Sequence, residues 1–329
     1  MLKRKELYTK YIGFLHNNTM SFDELALDLF RFQSRFNPVY NSFLNYLNTD
    51  IENVTTLEEI PFLPVSLYKN HAVKSGDWIS NIVFESSTTT GSIPSKHHIY
   101  DLELYISNAK YLFEESYGKL NKYYFLALLP SYMEKEGSSL IYMVNDFISN
   151  SSGKFFNYDY NQVLKDIREY KGGKQIVLIG VTYALLEMAE LVRKPINEVI
   201  IMETGGMKGR RKELPRQQVH EILKKAFSVN EIHSEYGMTE LLSQSYSKGN
   251  GVFSASKTMK FLFADIYDPF SYVDVGRQGR INIVDLANID SCSFLSTDDL
   301  GRELGNGRFE VLGRTDESDI RGCNLLFVP

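Results

Sequence analysis

Apolar positions fall into two regimes along the chain: helical spacing at the start, then short unbroken runs. In SFDELALDLFRFQSRF, Phe22, Leu25, Leu29, Phe32 and Phe36 recur every three or four residues, and Ser21 stands where an N-cap belongs. The first 60 residues read as helical. IPFLPVSLY, with Pro61 and Pro64, reads as a loop into the main body. Beyond it, apolar runs alternate with amphipathic stretches. NIVFE (81–85), YYFLALLP (123–130), QIVLIG (175–180), NEVIIME (197–203) and VNEIHSEYG (229–237) are strand candidates. DLELYISNAKYLFEESYG (101–118), TYALLEMAELVRK (182–194) and PRQQVHEILKKAF (215–227) are helix candidates. Strands apolar on both faces, separated by helices, predict an α/β sheet covered on both sides. From about residue 250 the runs become β-like throughout: MKFLFADIYD, GRINIVDL, CSFLS and RFEVLG. The pattern divides the chain into a helical region (1–60), an α/β core (61–249) and a mostly β closing segment of the same domain (250–329).

Composition narrows the classes. The chain has 329 residues, 43% of them hydrophobic, enough for a large core. A net charge of −5 argues against a nucleic-acid binder. Two cysteines, Cys292 and Cys323, make no disulfide framework and fit a reducing compartment. No apolar window is long enough to span a membrane, and the basic start MLKRKELYTKYIGFL reads as an amphipathic helix and not a signal peptide. The expected location is the cytoplasm.

The candidate chemistry begins at FESSTTTGSIPSKHH (84–98). Ser86, Ser87, Thr88, Thr89, Thr90 and Gly91 follow directly on a strand candidate, with Lys96 just beyond. Small residues let backbone N–H groups converge on an anion, the hydroxyls add donors, and Lys96 adds charge. A Ser/Thr turn that caps a helix is the plainer reading. His97 and His98 have no metal-ligand spacing around them and read as loop packing or substrate contacts.

Three later stretches add to this: EYGMTE (235–240), STDDLG (296–301) and GRTDESDIRG (313–322), in that order. Together with the hydroxyl-rich loop they resemble the signatures of the adenylate-forming enzymes, the superfamily of acyl-CoA synthetases and luciferases. The resemblance implies the superfamily's large N-terminal α/β domain of layered sheets and helices, with ATP and Mg²⁺ as cofactors. It places Ser86, Ser87, Thr88, Thr89, Thr90 and Gly91 on the phosphates, Gly205, Gly206 and Tyr236 with Gly237 at the adenine, and Thr239 on the α-phosphate. Glu240 would hold Mg²⁺, Asp299 the ribose hydroxyls, and Arg314 the ribose or a phosphate. Thr88 and Asp298 stand where the superfamily often has glycine. After GRTD the superfamily carries a lid domain with a catalytic lysine; here few residues follow Gly322, so the lid is expected to be absent, with Lys96 or Lys208 as replacement cations.

A narrower resemblance rests on LLPSYMEKEGSSLIYM (128–143), IGVTYALLEMAE (179–190), METGGMKGRRKELPR (202–216) and DIRGC (319–323). These look like the acyl-protein synthetases of bacterial luminescence operons, the LuxE type. That likeness implies a fatty acid as substrate, transfer of its acyl group to Cys323 near the C-terminus, and an acyl reductase as partner. Cys323 could equally pack as a small hydrophobe, beside Leu325, Leu326 and Phe327; Cys292 reads as packing. The basic run Lys208, Arg210, Arg211 and Lys212 would draw pyrophosphate or an acidic partner, or form a solvated loop. An acyl-CoA ligase of the phenylacetate-CoA type and a binding subunit without adenylation are the alternatives.

Overall fold

The computed structural model describes residues 3–87, 93–130, 137–196, 198–205 and 214–314. Three helices open the chain: α1 (Arg4–Asn17), α2 (Phe22–Phe36) and α3 (Pro38–Tyr46). Ser21 caps α2 as its spacing predicts. The Glu24 N–H donates to Ser21 Oγ, and the Glu24 carboxylate accepts from the Ser21 N–H in return. Leu25, Leu29 and Phe32 face inward. Asn37 caps α3, with Pro38 at its first position. Gln33 and Asn37 bind the backbone of residues 288, 289 and 291, tying the helices to the closing β segment.

The main body is a twelve-stranded mixed sheet. Its order is β11-β12-β13-β14-β10-β9-β8-β7-β6-β4-β5, with β1 (Leu63–Pro64) alongside β13. β4 (Tyr123–Leu128), β5 (Gly153–Phe156), β6 (Gln175–Val181), β7 (Val199–Thr204) and β8 (His233–Tyr236) are parallel. From β9 (Ser245–Ser247) the ladder turns antiparallel, through β10 (Val252–Ser254), β14 (Arg308–Arg314), β13 (Phe294–Gly305) and β12 (Gln278–Asp285) to β11 (Met259–Ala264). β4 and β6 are buried on both faces, which is why they read as continuous apolar runs.

Helices connect the parallel strands. α4 (Leu102–Tyr117) precedes β4, and α5 (Ser139–Ser149) and α6 (Tyr160–Glu169) flank β5 in the chain. α7 (Thr182–Ala189) and α8 (Arg216–Phe227) follow β6 and β7. α4 packs on α5, and α7 on α8. From β4 the chain steps to β5; from β6 it steps the other way, to β7 and β8. With right-handed crossovers these two directions put α5 and the pair α7–α8 on opposite faces. In such a sheet, ligands gather outside the carboxyl ends of the strands.

A separate hairpin, β2 (Ile82–Glu85) with β3 (Lys96–Ile99), carries the hydroxyl-rich loop at its tip. The Ser86 N–H donates to Ser95 O, and the Ser95 N–H to Ser86 Oγ, closing the stem. The Glu85 N–H donates to the carbonyl of Gly137, which docks the hairpin on the body. The helix expected over 182–194 ends at Ala189, and the strand expected from 229 starts at His233. No helix among the described residues is long and apolar enough to cross a membrane.

Candidate active site

A cavity of about 590 Å³ opens where β7 and β8 end, lined also by the stem of the hairpin and by residues of β13 and β14. Ser86, Ser87, Gly205, Tyr236, Gly237, Thr239, Glu240, Asp299 and Arg314 all line it. They come from five separate stretches of the chain. Thr88, Thr89, Thr90, Gly91, Gly206, Lys208 and Cys323 lie outside the described residues.

Lys96 does not line the cavity. In the hairpin register Glu85 pairs with Lys96, and Phe84 with His97. Strand alternation sends the first pair outward and the second inward. Lys96 Nζ sits 3.5 Å from Glu85 Oε1 on the exposed side, while His97 is buried. The cations that do line the cavity, among the described residues, are Lys69, Arg216 and Arg314.

The turn after β8 is held from behind. His97 Nδ1 donates to the Thr239 carbonyl at 2.8 Å, and since a carbonyl only accepts, that nitrogen carries the hydrogen. Burial lowers the His97 pKa to about 4, so the ring is neutral. Asn288 Nδ2 donates to the Glu240 carbonyl at 2.8 Å. Both carbonyls are thus fixed, leaving the Thr239 and Glu240 side chains to the cavity. Asp285, fully buried, accepts from the N–H groups of Leu242 and Ser243 and fixes the next residues.

Glu240 is 5% exposed, and burial raises its pKa, opposed by a hydrogen bond from Ser95 and by the charge of Arg314. A carboxylate in that condition gains from a cation. The described residues hold no group of three or more acidic, His or Cys side chains able to cage a metal. The arrangement fits Mg²⁺, which takes one or two carboxylates and completes its shell with phosphate oxygens and water.

Asp299 lies opposite Arg314 in the β13–β14 ladder. Its Oδ1 accepts from Arg314 Nε at 3.0 Å and its Oδ2 from Tyr236 Oη at 2.8 Å. The Tyr236 ring packs against Phe253, Phe261 and Phe309 at 5.9 to 6.2 Å between centroids. Each carboxylate oxygen retains a lone pair toward the cavity, enough for a diol.

Sequence reasoning missed a second group of charges in the same cavity. Glu203, at the end of β7, lies 3.3 Å from Arg216 Nη1 and 3.6 Å from His220 Nε2. Burial alone would raise its pKa, but Arg216, His220 and Ser234 outweigh burial and hold it at about 2. Among the described residues no cation acts on Glu235 in this way. Burial and the neighbouring Glu203 raise it to about 7, against a hydrogen bond from Thr204. The only sequence signal was a carboxylate in the next-to-last position of two strands, Glu203 in β7 and Glu235 in β8. Cys292 is buried, its thiol pushed up to about 12, which fits packing.

No family model matches this chain, and comparison with curated proteins finds no match. Solved structures do match. 2-Hydroxyisobutyryl-CoA ligase, in an open conformation in complex with 2-HIB-AMP and CoA, aligns with a TM-score of 0.66 at 12% identity, over 90% of this chain and 70% of that one. The same ligase in the postadenylation state with R3-HIB-AMP gives 0.65 at 12% identity, over 90% and 68%. ATP-bound MatB from Rhodopseudomonas palustris gives 0.53 at 15% identity, over 70% of this chain and 47% of that one. This chain therefore spans about half the length of MatB. The likeness defines the class of fold, a large mixed sheet with flanking helices shared with these ligases.

Proposed function

We propose that this protein activates a carboxylic acid with ATP, as an acyl-adenylate, and passes the acyl group to a thiol. The observation that carries this reading is the convergence of the loop stem (Ser86, Ser87), the turn (Thr239, Glu240) and the Asp299–Arg314 pair on one cavity. An acid oxygen attacks the α-phosphorus and the bond to the β-phosphate breaks, releasing pyrophosphate. Such a step needs positioning and screening of negative charge more than proton transfer. Asp299 holds the ribose, Gly205 and Tyr236 bound the base, and Thr239 donates to the α-phosphate. The hairpin tip and Arg314 screen the phosphates. Glu240 would hold Mg²⁺, which neutralises phosphate charge when bound.

In the second step a thiolate attacks the acyl carbon and AMP leaves. The sequence resemblance to the acyl-protein synthetases supplies Cys323 as that thiol, a fatty acid as the acyl source and an acyl reductase as consumer. The CoA in the 2-hydroxyisobutyryl-CoA ligase complex offers the other acceptor.

Acid-dependent exchange of labelled pyrophosphate into ATP tests the first step. Exchange that requires both an acid and Mg²⁺ supports the reading, and its absence with every acid, alone or with a reductase added, rejects it. Cys323→Ser tests the second. Label that no longer stays on the protein, with exchange intact, supports the protein thiol; undiminished acyl-CoA formation supports CoA.

A further inference from the structure

The cavity wall beside Thr239 carries two buried polar side chains, Glu235 and Gln244, whose acceptor capacity is not filled among the described residues. Glu235 is 8% exposed, and its Oε2 accepts from Thr204 Oγ1. Its Oε1 lies over Gly237, 2.5 Å from where a Cβ on that residue would stand. Gln244 approaches the same point from another side, its Cγ 3.3 Å away. It is 4% exposed, and its Oε1 is buried with no hydrogen-bond partner among the described residues. Both side chains line the cavity. Among the described residues, the neighbouring Arg216 guanidinium and His220 ring are engaged by Glu203. A side chain at Gly237, two residues from Thr239, would require the Glu235 carboxyl to shift.

On the proposed reaction, the acid's carboxylate reacts at the α-phosphate held by Thr239. Glu235, Gly237 and Gln244 line the same cavity as Thr239, within reach of the atoms next to that carboxylate. A plain alkyl chain there would strip both groups of water and return no hydrogen bond, which is costly for buried polar atoms. A donor within a few bonds of the carboxyl would satisfy them. We infer that the acid bears an amino or hydroxyl group near its carboxyl, recognised by Glu235 with Gln244. This rests on the adenylation reading and, for the acid, departs from the unsubstituted fatty acid that the sequence resemblance implies. Tyr105, whose hydroxyl is engaged by the Ser139 carbonyl, presents its ring to the same cavity and would flank the acid's carbon frame.

The test is pyrophosphate exchange by the full chain with matched acids: propionate, lactate, alanine and β-alanine, with palmitate as the long unsubstituted acid. ATP binding is measured separately by titration calorimetry. The inference expects a donor-bearing acid to exceed propionate and palmitate in kcat/KM by roughly tenfold or more. Glu235→Ala should collapse that ratio. The isosteric Glu235→Gln should hurt an amino acid more than a hydroxy acid, which also tells the two donors apart. Propionate or palmitate performing as well as the best donor-bearing acid overturns the inference and leaves adenylation standing. ATP binding without exchange by any of these acids also overturns it. Failure to bind ATP removes the adenylation reading, and this inference with it.

Discussion

Asp299 takes an N–H from Arg314 on one oxygen and an O–H from Tyr236 on the other, so its carboxylate enters the cavity already oriented. Hydrogen bonds to a charged group contribute about 1.5–3 kcal/mol each. Asp299→Ala should therefore weaken ATP binding by roughly ten- to hundredfold, read by calorimetry. Asp299→Asn, which can keep the Tyr236 contact, should fall between it and the unaltered protein. Glu235 gives a prediction of a different kind. Its pKa rises from an ordinary 4.5 to about 7 on folding. The folded state then holds a proton that the unfolded chain releases, so its contribution is fully present below about pH 4.5 and lost as pH rises through 7. Glu235→Gln has no such loss. Its stability relative to the unaltered protein should climb between pH 5 and 8, by up to about 3 kcal/mol, in urea melts. A flat difference would mean the carboxyl is ionised throughout. The motif residues were legible because their order and types recur together. Glu203, Glu235 and Gln244 were not, since a polar residue at a strand end looks the same whether it meets solvent or a cavity.

Elements were legible wherever burial is two-sided or periodic. β4, β6 and β7 are continuous apolar runs because helices cover both faces, and α2 and α4 carry unbroken helical spacing. β9 (SYS) and β3 (KHHI) were missed because their residues are polar; only pairing makes them strands. The placement of Lys96 follows from register, which no single segment encodes. Its partner across the hairpin is Glu85, and one residue of alternation separates it from the cavity-facing Ser95. At the start of α2 the N-cap was readable from Ser21. Ser21→Ala should cost about 1 kcal/mol in a urea melt, and pyrophosphate exchange should be unchanged because α2 does not line the cavity.

At the scale of the molecule, the sheet changes from parallel to antiparallel at β8, and the cavity sits at that change. The parallel half delivers Gly205, Tyr236 and Thr239 at strand ends; the antiparallel half brings Asp299 and Arg314 across from the other side. The hairpin of β2 and β3 closes the arrangement with Ser86 and Ser95. The α/β character of the middle of the chain and the β character of its end could be read directly. That both belong to one twelve-stranded sheet could not, because the joining strands β9 and β10 are three residues each.

The account stands on one nucleotide spanning this cavity. A crystal structure with a non-hydrolysable ATP analogue and Mg²⁺ measures that directly. The ribose hydroxyls should lie on Asp299, and the triphosphate between the hairpin tip and Thr239, with the metal on Glu240. A nucleotide bound elsewhere, or one turned so that its phosphates meet Asp299, would contradict it.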